Sequence, residues 1–178
     1  MSQILTYPNP ILRRKAQPVE KFTAEIRQLA KDLLASLVPD PNEPLGVGLA
    51  ANQIGALQRV FVMMFPNKKL AVIINPQILK TSPKMLSSLP KDKQYLEGCL
   101  SVPGYYAFVD RPLKIKVAYQ TLTGSLRKKT LTYPYSTYFQ HERDHLDGIL
   151  FIDYVKKSGE KLYLADSKGK LQPVKNPF

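Results

Sequence analysis

Apolar residues early in the chain recur at helical spacing. Ile26, Leu29, Ala30, Leu33, Leu34 and Leu37 fall three or four apart, which places them along one side of an α-helix. Thr23 stands where an N-cap belongs, Glu25 falls in the first turn, and Pro39 and Pro41 bar continuation. A helix from Thr23 to about residue 37 is therefore expected. Before it, Pro8, Pro10 and Pro18 break residues 1–20 into irregular chain. Apolar runs around 58–65 and 70–79 read as strands. In "LKIKVAYQT" the pattern alternates, with Lys114 and Lys116 on one face and Ile115 and Val117 on the other. Thr123-Gly124 then turns into "SLRKKTLTY", the pattern of an antiparallel hairpin. Residues 81–95, with Pro83, Pro90 and several lysines, read as an exposed loop.

Further along, Ser136 is placed to cap a helix over about 137–147, and Gly148 suits its left-handed C-terminal position. "ILFIDYV" reads as a buried strand, and "DSKGK" as the turn of a hairpin within a polar tail, 156–178. Strands and helices in this order, joined by short turns, predict an α+β fold with antiparallel sheets. A chain of 178 residues is expected to form one domain over 1–178, with its chemistry-bearing core at about 5–155.

Both histidines of the chain stand four apart in "FQHERDHLDG". On a helix they share a face, one turn apart. Two neutral imidazoles so placed can bind one metal ion at about 2.0–2.1 Å each. Glu142 lies about 100° round the helix, near enough to act on water beside the metal without ligating it. Arg143 falls on the opposite face as a solvated charge. A third ligand is needed. Asp144 does not share the histidine face, whereas Asp153 lies just downstream. Cys99, the single cysteine, sits in "EGCLS", where Gly98 lets the backbone approach closely and a thiolate binds borderline metals strongly.

Composition narrows the setting. No apolar run approaches the roughly 18 residues of a membrane span, and the first residues lack the pattern of a secretory signal. One cysteine cannot form an internal disulfide, which points to a reducing, cytoplasm-like compartment. The net charge of +12 favours encounters with anionic partners such as nucleic acid or ribosomes, besides serving solubility. The charges are spread out, with mild clusters at Arg13-Arg14-Lys15, Arg127-Lys128-Lys129 and Lys156-Lys157. No aromatic interleaving suggests sequence-specific nucleic-acid recognition.

Three segments together resemble the peptide deformylase family: "GVGLAANQIG" (46–55), "EGCLS" (97–101) and "QHERDHLDG" (140–148), in that order. The resemblance extends over roughly residues 5 to 155. It implies antiparallel β-sheets packed around a central HExxH helix, with one N-terminal helix. It implies one divalent metal held by Cys99, His141 and His145 with water at a fourth position, Fe2+ as the usual ion and Zn2+ or Ni2+ as replacements. Glu142 would be general base and then acid, and the Gln53 side-chain amide and the Leu100 backbone N–H would hold the oxyanion. The substrate would be the N-terminal formyl-methionine of nascent peptides, whose formyl group would leave as formate in a cytoplasm, whether bacterial, organellar or phage-associated.

By the same resemblance, the Gly46–Gly48 segment pairs with the substrate backbone, Val47 and Tyr138 line the methionine pocket, and Glu97 forms an ion pair with Arg111 on a flanking strand, close to the substrate. Thr137 and Tyr138 stand where many relatives carry aliphatic or small residues, a departure that bears on pocket shape. Some relatives end in a long charged helix that docks on the ribosome. Gly159, Gly169 and two prolines argue against one here, so ribosome association would use the basic surface.

Two other readings compete. One is a zinc endopeptidase using His141, His145 and Asp153. The other is a non-enzymatic, basic ribosome- or RNA-binding module that keeps a structural metal. Structural zinc sites are usually closed by four protein ligands, and only three strong candidates stand out.

Overall fold

The computed structural model describes residues 2–38, 46–67 and 69–178. The expected first helix forms as α1 (Ala24–Leu37), with Thr23 at its N-cap position. Pro39 and Pro41 lie outside the described residues. The chain continues through β1 (Gly48–Ala50), β2 (Val60–Met64) and β3 (Leu70–Thr81). Then come β4 (Glu97–Cys99), β5 (Val102–Ala107), β6 (Lys114–Gln120) and β7 (Leu126–Thr132). Two helices, α2 (Tyr135–Leu146) and α3 (Phe151–Ser158), precede a last hairpin of β8 (Leu162–Ala165) and β9 (Leu171–Val174). One sheet runs β1-β2-β3-β6-β7 and the other β4-β5-β8-β9. Every neighbouring pair of strands is antiparallel. The fold is α+β, as the pattern predicts.

Strand β2 shows how the layers are built. Successive side chains of a strand point to opposite faces. Val60 and Val62 pack with Ile26, Leu33 and Leu37 of α1. Phe61 and Met63 pack on the other side with Phe139 and Leu146 of α2. Phe61 and Phe139 meet edge to face, 5.3 Å between ring centres. The "VFVMM" run is apolar throughout because helices cover this part of the sheet on both sides. A third cluster joins Val102, Ala107, Phe151, Val155 and Leu162, seating α3 on the second sheet. In β6, Ile115 and Val117 are buried while Lys114 and Lys116 are exposed, as the alternation predicts.

Three expectations are corrected. Helix α2 starts two residues earlier than expected, and Ser136 is inside it rather than at its cap. The Ser136 hydroxyl donates instead to the carbonyl of Leu113. "ILFIDYV" is a helix, not a strand. Phe151, Ile152 and Val155 fall on one helical face, Asp153 accepts from the Leu150 N–H at the N-terminus, and Gly159 closes the helix at φ +73°. A short apolar run fits either element by periodicity, and here the caps decide. Arg111 lies in the connection between β5 and β6 rather than on a strand. The "DSKGK" hairpin forms as expected, and it also adds to the second sheet, since β8 pairs with β5.

Candidate metal centre

Helix α2 carries His141 and His145 on one face, their ring centres 5.0 Å apart. The end of β4 brings in Cys99, whose Sγ lies 3.1 Å from Nε2 of His145. The three donor atoms lie within 4.8 Å of one another. One thiolate and two imidazoles at this spacing fit a borderline divalent ion such as iron, zinc or nickel. Asp153, the other third ligand considered, is engaged elsewhere. It accepts from Arg13 at 2.5 and 2.9 Å and from the N–H of Leu150, just before α3. Arg143 pairs with Asp147 one turn on, at 3.1 Å.

Two glycines permit this convergence. A Cβ on Gly98 would fall 2.6 Å from the Tyr106 ring, and one on Gly48 would fall 2.5 Å from Oε1 of Glu142. Strand β1 therefore runs directly against the glutamate of the helix. The N-terminal segment ties the three motif-bearing pieces together through its backbone. Leu5 N–H donates to the Gln53 carbonyl, Tyr7 N–H to that of Ser101, and Ala16 N–H to that of Leu146, all at 2.7–2.8 Å.

The histidines are oriented by buried partners. Nδ1 of His141 lies 2.9 Å from Oε2 of Glu97, so Nδ1–H donates to the carboxylate and Nε2 is left for the metal. Both Glu97 oxygens also accept from Arg111, in a two-pronged pair. Arg111 reaches on to Asp144 at 2.8 Å, and Tyr154 donates its hydroxyl to the same Asp144 oxygen at 2.9 Å. The Arg111 guanidinium lies over the Tyr154 ring. Glu97, Arg111 and Asp144 are buried. Asp144 and Tyr154 went unrecognised in the sequence. The available signal was an acid three residues after His141, flanking the histidine face of α2, which once buried needs a cation.

Electrostatics follow from this packing. Burial alone would raise the Glu97 carboxyl, but the Arg111 charge and hydrogen bonds from His141 and Arg111 hold it at about 2. Glu142 has no such partner. Burial pushes it up to about 7, and its Oε2 has no hydrogen-bond partner among the described residues. Burial, then the neighbouring charges of His141 and Arg111, hold His145 well below the usual histidine range. His145 is therefore a neutral imidazole, the form that ligates metal.

Gln53 sits in a short 3₁₀ turn after β1. Its Oε1 accepts from the Ala50 N–H at 2.8 Å, which aims Nε2 at Ser101 Oγ, 3.0 Å away, and Cys99 Sγ, 3.6 Å away. A cavity of about 500 Å³ opens over these groups. Cys99, Gln53, Leu100, His141 and Glu142 line it, with Val47 and Gly48 from β1 and its approach. Tyr95, Tyr106, Tyr133 and Tyr138 supply an aromatic wall, and Thr137 contributes beside them. Among the described residues β1 is an edge strand, paired only with β2.

Comparison with known proteins matches a family model described as polypeptide deformylase to residues 1–161. A peptide deformylase of Mesorhizobium japonicum is 40% identical over 158 residues, covering 86% of this chain and 84% of the relative. One of Afipia carboxidovorans is 38% identical over 159 residues, covering 87% and 86%. Among solved structures, the Thermus thermophilus peptide deformylase superposes with a TM-score of 0.76 at 40% identity, over 89% of this chain and 87% of that one. The Thermotoga maritima peptide deformylase gives 0.76 at 36% identity, over 86% and 97%.

Proposed function

The chain belongs to the polypeptide deformylase family, and from that premise we propose that it is a metal-dependent amide hydrolase that removes the formyl group from the N-terminal formyl-methionine of newly made polypeptides, releasing formate. The observation that carries this reading for its own residues is the meeting of Cys99, His141 and His145 within 4.8 Å, beside a buried Glu142 whose Oε2 is unsatisfied among the described residues. These three donors would hold one divalent cation per chain, Fe2+ in the cell with Zn2+ or Ni2+ as substitutes. Such an ion supplies a Lewis acid that brings the pKa of water near 7 and polarises the formyl oxygen.

Glu142 takes the proton of the attacking water and hands it to the departing amine. Burial raises this carboxyl in the metal-free site, the direction that suits a group which accepts and then donates a proton near neutrality. Gln53 is pre-aimed, because its carbonyl is already committed to Ala50 and its N–H2 faces the reacting centre. It and the Leu100 N–H donate to the oxyanion, a role typically worth about 10²–10³ in rate per donor. Val47 and Gly48, at the free edge of β1, pair with the peptide backbone as an added strand would. Val47 and Tyr138 line the pocket for the methionine side chain. Glu97 lies beside this pocket, but its oxygens are taken by Arg111 and His141. It acts by fixing the His141 tautomer rather than by touching the peptide.

No helix among the described residues is long and apolar enough to cross a membrane, and a bacterial cytoplasm is the setting we assign. The basic surface supports contact with ribosomes. The test of the hydrolase reading is anaerobic purification, metal analysis, and a formate assay on formyl-Met-Ala-Ser. One equivalent of metal and formate release are expected. Glu142→Gln should keep the metal and lose about 10²–10⁴ of the turnover. A metal-loaded parent that releases no formate overturns the reading.

A further inference from the structure

The five-stranded sheet has a one-signed surface that catalysis does not use. None of its five strands contains an aspartate or glutamate. Lys114 and Lys116 project from β6, while Lys80 on β3 stands opposite Lys116, and Lys128 on β7 stands opposite Ala118. Paired residues of neighbouring strands, and alternate residues of one strand, share a face. The four lysines therefore lie on one side of three adjacent strands, and all four are exposed. Thr130 and Thr132 add hydroxyl groups on the same side, opposite Lys116 and Lys114. No lysine of the four makes an ion pair among the described residues.

Two ordinary explanations fall short. Lysine on an edge strand discourages pairing with other chains, and that accounts for Lys128 on the terminal strand β7 and for Lys80, which lies beyond the stretch of β3 paired with β2. Lys114 and Lys116 on β6 are bonded on both sides and have no edge to protect. A face made for solubility alone mixes both signs, because like charges directly opposite one another destabilise a sheet. Lys80 opposite Lys116 accepts that penalty. A polyanion laid across the face would relieve the repulsion and release its own counterions.

We propose that the exposed face of β3-β6-β7 docks the phosphate backbone of RNA, without reading base sequence. The array carries lysine point charges, so it offers phosphate contacts rather than base recognition. This inference rests on the basic-partner reading above and locates it on the molecule. It does not depend on the hydrolase chemistry.

The test uses the full chain and a fluorescently labelled RNA hairpin of about 20 base pairs, titrated between roughly 50 and 200 mM KCl. The sheet variant carries Lys80→Gln, Lys114→Gln, Lys116→Gln and Lys128→Gln. A control variant loses the same charge elsewhere, through Lys21→Gln, Lys31→Gln, Lys156→Gln and Lys157→Gln. The sheet variant should bind at least about tenfold more weakly, with the slope of log K against log salt flattened by about 3. The control should lose less than about threefold. At low salt the sheet variant should also melt no lower than the parent, since like-charge opposition is gone.

Equal losses in the two variants would overturn the proposal, as would a parent that does not bind at about 100 mM salt. Tighter binding to phosphatidylserine vesicles than to RNA would overturn it in favour of a membrane surface. Formate release from formyl-Met-Ala-Ser should be unchanged in both variants. Absent formate release would strike the hydrolase reading and leave this one standing.

Discussion

At Gly48 the absence of a side chain has a direct chemical effect. A methyl group there would press into the Glu142 carboxylate at 2.5 Å, and Glu142 cannot yield without leaving the position from which it works. Gly48→Ala should therefore lower formate release by about 10²-fold or more, with metal content kept and melting temperature little changed. A parent-like rate in that variant would show that the carboxylate has room to move. The ligands themselves were legible from sequence for a simple reason: the chain has one cysteine and two histidines, so few combinations existed. Asp144 and Tyr154 were not legible. They act on the His141 ring through Arg111 and Glu97, both far from α2 in sequence, and no local pattern records a contact relayed in that way.

Among the elements, α2 must be both a ligand platform and a core helix. Its ligand face carries His141 and His145, while Phe139 and Leu146 pack with Phe61 and Met63 of β2. Phe139 is fully buried, and Phe139→Ala should cost about 3–5 kcal/mol. Urea unfolding measures the loss, and a change below about 1 kcal/mol would mean that the site collapses freely around the gap. Periodicity identified α1 and β6 because each is long enough for its repeat to show, while the β6–β7 hairpin was marked by the Thr123-Gly124 turn and α2 by Ser136 and Gly148 at its ends. It failed on α3, eight residues whose apolar positions suit a strand equally well. There the deciding features were an aspartate reaching back to the Leu150 N–H and a glycine at the end. Ser136 looked like a cap because serine often is one. The carbonyl of Leu113 took its hydroxyl instead.

Across the whole molecule, the Glu97–Arg111–Asp144–Tyr154 chain links β4, the β5–β6 connection, α2 and α3. Its charge state therefore bears on how the two sheets hold together. The folded Glu97 carboxyl, at about 2, lies below its ordinary 4.5. A depressed carboxylate contributes stability that is fully present above 4.5 and is lost as pH falls toward 2. Melting of the metal-free protein should drop across that window, and Glu97→Gln should flatten the drop. An unchanged acid profile in the variant would exclude this linkage. The global arrangement was the least readable level in the sequence. The pairing of β8 with β5 brings the polar tail into the sheet that carries Cys99, and a tail rich in charge gave no sign of it.

The backbone of Leu5, Tyr7 and Ala16 bonds to Gln53, Ser101 and Leu146, which has a temporal consequence. Residues 5–16 are synthesised before the rest of the site, yet Ala16 is fastened to Leu146, far downstream. Until Leu146 has emerged, the opening residues lack their last partner and the pair of imidazoles does not yet exist. Ion capture by this protein is therefore a late event in its own birth, a step that follows the exit of the ligand helix rather than one that guides the chain toward it.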